Sequence, residues 1–194
     1  MFVVINEVDA DQPAADAAEF VELYGTPNMS LTGYSIVLFN GNGDVSYQVY
    51  DLDGYSLNAN GFFTLGSVVN ADYFVSSGTT GFLQNGADAV ALYVADSADF
   101  AAGTMASNIN LVDALVYGTA DAQDAELIAI LAPGQTQVDE GMANNTTSSS
   151  RVPDGGALVT LSLFVAQAPT PGASNVLSIA GCTDPLACNF NPAA

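Results

Sequence analysis

The chain has 194 residues, of which 21 are Asp or Glu and one is Lys or Arg, so its formal net charge at pH 7 is −20. Nucleic acids and anionic lipids are bound through Lys and Arg, so neither is an expected partner. Because the chain has no His and no Lys, it cannot use Ser–His–Asp or Cys–His catalysis, His-ligated zinc or Schiff-base chemistry. Hydrophobic residues make up 49% of the sequence, which predicts a folded core.

Short runs of Val, Ile, Leu, Phe and Tyr alternate with Gly, Asn, Asp and Pro, a pattern typical of β-strands joined by turns. The predicted strands cover residues 2–8, 19–24, 34–40, 47–51, 62–66, 89–95, 110–117 and 158–164. Residues 34–40 have apolar side chains on both faces, so we expect this strand to be buried on both sides. Short strands at this spacing predict an all-β sandwich.

Helix signals are few. Residues 121–134 contain the only helical pattern, with Leu127, Ile128 and Leu131 at a helical spacing and Pro133 as a stop. We therefore predict one short helix or turn in this segment.

The C-terminal part of the chain differs from the rest. The polar stretch 141–151 is predicted to be a loop, and the strand pattern ends after 168–175, so we predict one domain over residues 1–176 and a short C-terminal extension over residues 177–194. The only two cysteines, Cys182 and Cys188, lie in this extension, which is compatible with secretion.

No stretch reaches the roughly 18 to 20 apolar residues of a membrane span, so we expect no direct insertion into a membrane. Met1 leads directly into the first strand pattern without the features of a signal peptide. We expect a mature fragment of a larger protein.

Eight segments follow one another as VVINEV, AEFVELYG, LTGYSIVLFNGNG, YDLDGYSLNANGFFTLG, LQNGADAVALY, LVDALVYG, SRVPDG and PTPGASN. In this order, over about residues 3–175, they resemble the bacterial lamin-tail domain. The resemblance implies an immunoglobulin-like β-sandwich, which agrees with the strand pattern. It also implies a non-enzymatic extracellular module. Since the chain has no coiled-coil rod and no basic surface, the filament chemistry of nuclear lamins is not implied.

The final segment, GCTDPLACNFNPAA, resembles the start of a Cys-bearing repeat of large secreted bacterial surface proteins. The repeat in that family continues with further cysteines that this sequence does not reach. The resemblance implies that Cys182 and Cys188 have partners elsewhere, whereas their spacing also allows them to pair with each other.

The loop between the first two predicted strands is rich in acids and contains Asp9, Asp11, Asp16 and Glu19. Calcium takes about six to eight oxygen ligands, mostly from carboxylates and carbonyls. Two interpretations remain open: these four side chains bind calcium, or the loop is simply solvated.

A second segment, NGNGDVSYQVYD, places Asn40, Asn42, Asp44 and Asp51 at EF-hand ligand positions. It has Val45 where that loop needs Gly, however, and Asn-Gly pairs are typical of hairpins. We therefore interpret the segment as a turn.

Arg151 is the only basic side chain, and we expect it to bond to carboxylates or carbonyls in a structural role. A glycosidase would need two carboxylates across a sugar-sized cleft. With 21 acids such a pair arises by chance, and the chain has no Trp on which a sugar could stack, so we reject this activity.

Together these features predict a non-enzymatic structural or adhesive module of a bacterial surface protein or extracellular filament. Its expected location is extracellular, at the bacterial cell surface, with calcium as a counter-charge. The expected partners are proteins, including other copies of this chain that add to a sheet edge. The alternative is an accessory domain that positions a secreted hydrolase.

Overall fold

The computed structural model describes residues 1–76, 81–141 and 146–176. The predicted extension, with Cys182 and Cys188, lies outside these residues. The strands are β1 Val3–Asp9, β2 Phe20–Gly25, β3 Tyr34–Asn40, β4 Val45–Asp51, β5 Phe62–Gly66, β6 Tyr73–Phe74, β7 Asp88–Val94, β8 Leu111–Gly118, β9 Val138–Asp139, β10 Ser148–Arg151 and β11 Phe164–Gln167. The helix α1 spans Ala125–Leu131, and 3-10 helices cover Ser97–Asp99 and Leu161–Leu163.

The strands form two sheets around one hydrophobic core. The six-stranded sheet has the order β11-β10-β1-β2-β5-β6, and the five-stranded sheet has the order β4-β3-β7-β8-β9. Neighbouring strands are antiparallel except for two pairs, β5 with β6 and β8 with β9. The predicted all-β architecture is confirmed. No helix within the described ranges is long and apolar enough to cross a membrane.

Alternation along β1 and β2 sends Val8, Val21 and Leu23 into the core. The register between the two strands shifts between Ile5 and Glu7, so that Asn6 is an extra residue in β1. Such a bulge changes which face the following side chains occupy. As a result Glu7 lies directly opposite Glu22, and both are completely buried.

Most predicted strands are confirmed, and the one over residues 158–164 is wrong. In this segment the Val159 N–H donates to Asp113 (2.6 Å), and a 3-10 helix over Leu161–Leu163 leads into β11. These backbone groups bond to side chains and turns instead of to a neighbouring strand, which apolar composition alone does not predict.

The prediction of a loop over residues 141–151 is also wrong at its end. Residues Ser148–Arg151 form β10, which lies between β1 and β11 and is buried throughout. Three serines give no hydrophobic signal, yet the strand is buried, and the hydroxyls of Ser148 and Ser150 have hydrogen-bond partners there. The Ser148 hydroxyl, for example, donates to the Glu7 carboxylate.

The predicted helix is confirmed as α1. It begins after Asp124, whose side chain accepts a hydrogen bond from the Leu127 N–H, and it ends at Leu131. An N-cap of this kind satisfies one of the free N–H groups of the first turn. Leu127, Ile128 and Leu131 are buried, as their spacing predicts.

Arg151 and Asp113 form an ion pair between the two sheets, with 2.8 Å between Nη2 and Oδ2. Neither side chain is exposed. The pair encloses the backbone of Ile5, whose N–H donates to Asp113 (2.9 Å) and whose carbonyl accepts from Arg151 Nε (2.9 Å). The guanidinium also lies over the Phe164 ring, 4.7 Å from its centroid. The structural role predicted for Arg151 is confirmed, and the only basic side chain of the sequence is therefore absent from the surface.

We expect Arg151→Met to lower the free energy of unfolding by about 3–5 kcal/mol, because it leaves the Asp113 carboxylate buried without its partner. Urea denaturation measures this loss. Replacing both partners, as Arg151→Met with Asp113→Leu, should restore part of it. The exposed Asp99→Asn is the control and should change stability by less than about 0.5 kcal/mol. A loss under about 1 kcal/mol for Arg151→Met would contradict this account of the pair.

Candidate functional site: an acidic pole and a C-terminal clasp

Several acids meet at the end of the sandwich where β1 ends and β2 begins. We call this set the acidic pole: Asp9, Asp11, Asp16, Glu19 and Glu140. The segment before β7 also contributes to this end, since the Tyr117 hydroxyl donates to the Gln84 carbonyl (2.9 Å) and the Thr119 hydroxyl to the Asn85 carbonyl (2.7 Å).

Neutral amide groups hold three of the four acids of the opening loop. Gln12 Nε2 donates to Asp9 (2.7 Å), and the Gln12 backbone N–H donates to Asp16 (3.1 Å). Asn85 Nδ2 lies between Asp11 (3.0 Å) and Asp16 (3.3 Å) and donates to both. Since the one basic side chain is paired elsewhere, amide groups connect the acidic opening loop to the segment before β7.

Glu19 is completely buried. Its Oε2 accepts hydrogen bonds from the backbone N–H groups of Phe82 and Leu83, whereas Oε1 has no hydrogen-bond donor in the described part of the chain. Gly81 packs directly on the carboxylate, and a Cβ at this position would come within 2.3 Å of Oε1. Only glycine fits there.

Glu140 belongs to the pole, although the sequence gives no local signal for it. Its carboxylate accepts hydrogen bonds from the N–H groups of Ala10 (3.1 Å) and Asp11 (3.2 Å). Glu140 and Ala10 are 130 residues apart in the sequence. Only the fold brings β9 and the opening loop together.

Within the described ranges, no three His, Cys, Asp or Glu side chains are grouped so that they could hold a metal ion. The calcium site predicted at Asp9, Asp11, Asp16 and Glu19 stays a prediction. The other segment considered, residues 40–51, is the β3–β4 hairpin, and Asn40 Oδ1 accepts from the Asn42 N–H (2.6 Å) within the turn. This interpretation as a turn is confirmed.

Burial raises the pKa of three carboxyl groups in the pole. The pKa of Asp9 rises to about 7, and those of Glu19 and Glu140 rise to about 8. Nearby negative charges add to this effect: Asp16 and Asp9 raise the pKa of Glu19, and Asp9 and Asp11 raise the pKa of Glu140. Hydrogen bonds from N–H groups offset part of this effect.

A second buried acidic set lies on the outer face of the six-stranded sheet, beneath residues 170–175, which we call the C-terminal clasp. Thr170 donates to Glu7 through its N–H (2.9 Å) and its hydroxyl (3.0 Å). The Gly172 N–H donates to Glu22 (2.6 Å), and the Asn175 N–H donates to Asp154 (2.9 Å). Burial raises the pKa of Glu22 to about 8. The clasp thus provides hydrogen-bond donors to the two opposed carboxylates, Glu7 and Glu22.

Asn6, the extra residue of the β1 bulge, connects the clasp to the sheet. Its Nδ2 donates to Glu22 (3.1 Å) and Asp154 (2.9 Å), and its carbonyl accepts from Asn175 Nδ2 (3.1 Å). The segments VVINEV and PTPGASN, at opposite ends of the domain sequence, therefore meet at one site.

We expect thermal stability to be highest near pH 4 and to fall as the pH rises from about 4 to about 8. The folded pKa values of Asp9, Glu19, Glu22 and Glu140 lie above the usual values near 4, so their stabilising effect is complete below about pH 4 and is lost as the pH rises through the folded pKa values. Calorimetric melting at fixed ionic strength across this range tests the expectation. Glu140→Gln should flatten the profile, and a melting temperature that rises between pH 5 and 8 would contradict it.

We expect Asn6→Ala to cost roughly 2–3 kcal/mol, because it removes the Nδ2 donor that Glu22 and Asp154 share beneath the clasp and leaves each with its bond to the clasp backbone. Denaturant unfolding measures the loss. The matched control is Asn60→Ala at an exposed position, which should change stability little. Equal effects of the two substitutions would show that Asn6 does not connect the clasp to the sheet.

No protein-family model, no curated protein and no solved structure matches this chain. Its lamin-tail resemblance therefore stays a prediction.

Proposed function

We propose that this chain is a non-enzymatic structural or adhesive module that acts outside the cell, as part of a bacterial surface protein or filament. The observation that carries the proposal is the burial of Arg151 against Asp113. Since the sequence has no other Lys, Arg or His, every charged side chain that faces solvent is an acid. Such a surface favours a medium that supplies cations.

The use of the buried acids supports a structural role. Catalytic carboxylates need a free oxygen within reach of a substrate. Here the carboxylates of Glu7, Glu22 and Glu140 accept hydrogen bonds from the chain's own N–H and hydroxyl groups and hold its segments together. Their positions serve the fold.

The finer fold assignment, an immunoglobulin-like sandwich of the lamin-tail type, is part of this proposal. Two antiparallel-rich sheets around one core support it. So does the contact between VVINEV and PTPGASN, since Asn6 and Asn175 lie in these two segments and bond to each other. The first and last of the eight segments that resemble the lamin-tail domain thus contact each other.

Calcium is the proposed counter-charge, and other copies of the chain are the proposed partners. Two such surfaces repel each other in dilute buffer, and cations reduce this repulsion. The strands β11 and β4 lie at sheet edges within the described residues and offer backbone groups to an added strand.

The test compares thermal unfolding and sedimentation in EDTA, in millimolar calcium and in NaCl of the same ionic strength. We expect calcium to raise the melting temperature by several degrees, since a hundredfold excess over Kd adds about 2.7 kcal/mol. We also expect larger species in calcium. Identical behaviour in calcium and in matched NaCl would contradict the calcium part, and a monomer under all conditions would contradict self-association.

A further inference from the structure

The Glu19 carboxylate presents a physical problem. It is completely buried, and its Oε1 has no donor among residues 1–76, 81–141 and 146–176. A buried carboxylate oxygen without a partner costs free energy, and such an atom calls for an ion, a water molecule or a special role. The one basic side chain of the sequence is already paired with Asp113. No other side chain of the sequence can therefore bring a positive charge to Glu19.

The acid beside Glu19 is Asp16, which is partly buried and lies in the opening loop. Each Asp16 oxygen accepts one hydrogen bond, from the Gln12 N–H and from Asn85 Nδ2. Because a carboxylate oxygen can accept two bonds, each retains capacity for another partner. Asp16 is thus an acid near Glu19 that can still bind a further partner.

The donor set at this position consists of oxygens alone. Carboxylate and carbonyl oxygens favour hard cations such as calcium and magnesium over soft metals. Cations of this class accept one or two carboxylates and complete their shell with carbonyls and water. A site with two carboxylates is also compatible with the absence of any group of three acidic, His or Cys ligands in the described ranges.

We propose that Glu19 and Asp16 bind one hard divalent cation of the calcium class at the acidic pole. This proposal rests on the proposed function, because it locates the counter-charge that the surface requires. It also narrows the prediction from the sequence to two of its four residues. Asp9 and Asp11 accept hydrogen bonds from the side-chain amides of Gln12 and Asn85, and these bonds help to fix the loop that carries Asp16.

The surroundings of Glu19 supply a spectroscopic probe. Burial is the main cause of the raised pKa values of Tyr47 and Tyr50, and the nearby Glu19 charge raises both further. With no Trp in the chain, tyrosine is the group that would sensitise a luminescent lanthanide bound there.

The experiment is a terbium titration of the full chain, with tyrosine excitation, followed by displacement with calcium. We expect saturable luminescence that calcium removes. Glu19→Gln should weaken terbium binding by about tenfold or more. Asp16→Asn should weaken it as well, while the equally charged control Asp99→Asn should bind as the wild type does. Circular dichroism establishes that each variant is folded, and Asp16→Asn keeps the test valid if Glu19→Gln does not fold.

Wild-type affinity in both folded Glu19→Gln and Asp16→Asn would overturn the proposal and leave water as the partner of Oε1. This failure is distinguishable from failure of the proposed function. If calcium raises the melting temperature of wild type and Glu19→Gln equally, cations stabilise the surface without this site. If calcium has no effect beyond that of matched NaCl on any variant, both ideas are wrong.

Discussion

The ion pair between Arg151 and Asp113 is the contact on which the arrangement of the two sheets depends. It connects β10 of one sheet to β8 of the other, and both partners bond to the backbone of Ile5 in β1 between them. Burying two charges gains little net free energy over an apolar pair, but a wrong register leaves a buried charge unpaired. Because Arg151 is the only basic side chain, Asp113 is the only acid whose charge is neutralised by a side chain of this protein. We infer that the pair fixes the register of the sheets.

The remaining acids are accommodated by neutral donors. Backbone N–H groups, amides and hydroxyls bond to the buried carboxylates, as Thr170 does to Glu7 and as Gly172 does to Glu22. A neutral donor stabilises a carboxylate less than a cation does, so burial prevails and the pKa values rise. The same solution recurs at the acidic pole, where one Glu19 oxygen has no partner among the described residues. The fold therefore holds its buried acids mainly with neutral donors.

The sequence predicted the secondary structure correctly where the buried side chains are hydrophobic. In β3 and α1 the apolar spacing indicates the correct element, because the buried residues are hydrophobic and their neighbours form turns or caps. It failed at Ser148–Arg151, a buried strand in which Ser148, Ser150 and Arg151 make side-chain hydrogen bonds. It also failed at residues 158–164, whose apolar side chains lie in a connection bonded to Asp113. A pattern based on hydrophobicity does not detect strands that are buried by polar pairing.

By itself the sequence determined the composition on which this protein depends: an excess of acids, no His imidazole and no Lys amine, carboxylates in the opening loop, and an all-β fold punctuated by turns. Which acids share a site was decided by tertiary structure. Glu140 reaches Ala10 across 130 residues, and Thr170 reaches Glu7 across 163. These contacts depend on the order of strands in the two sheets and on the bulge at Asn6, and neither is encoded in any local spacing of residues.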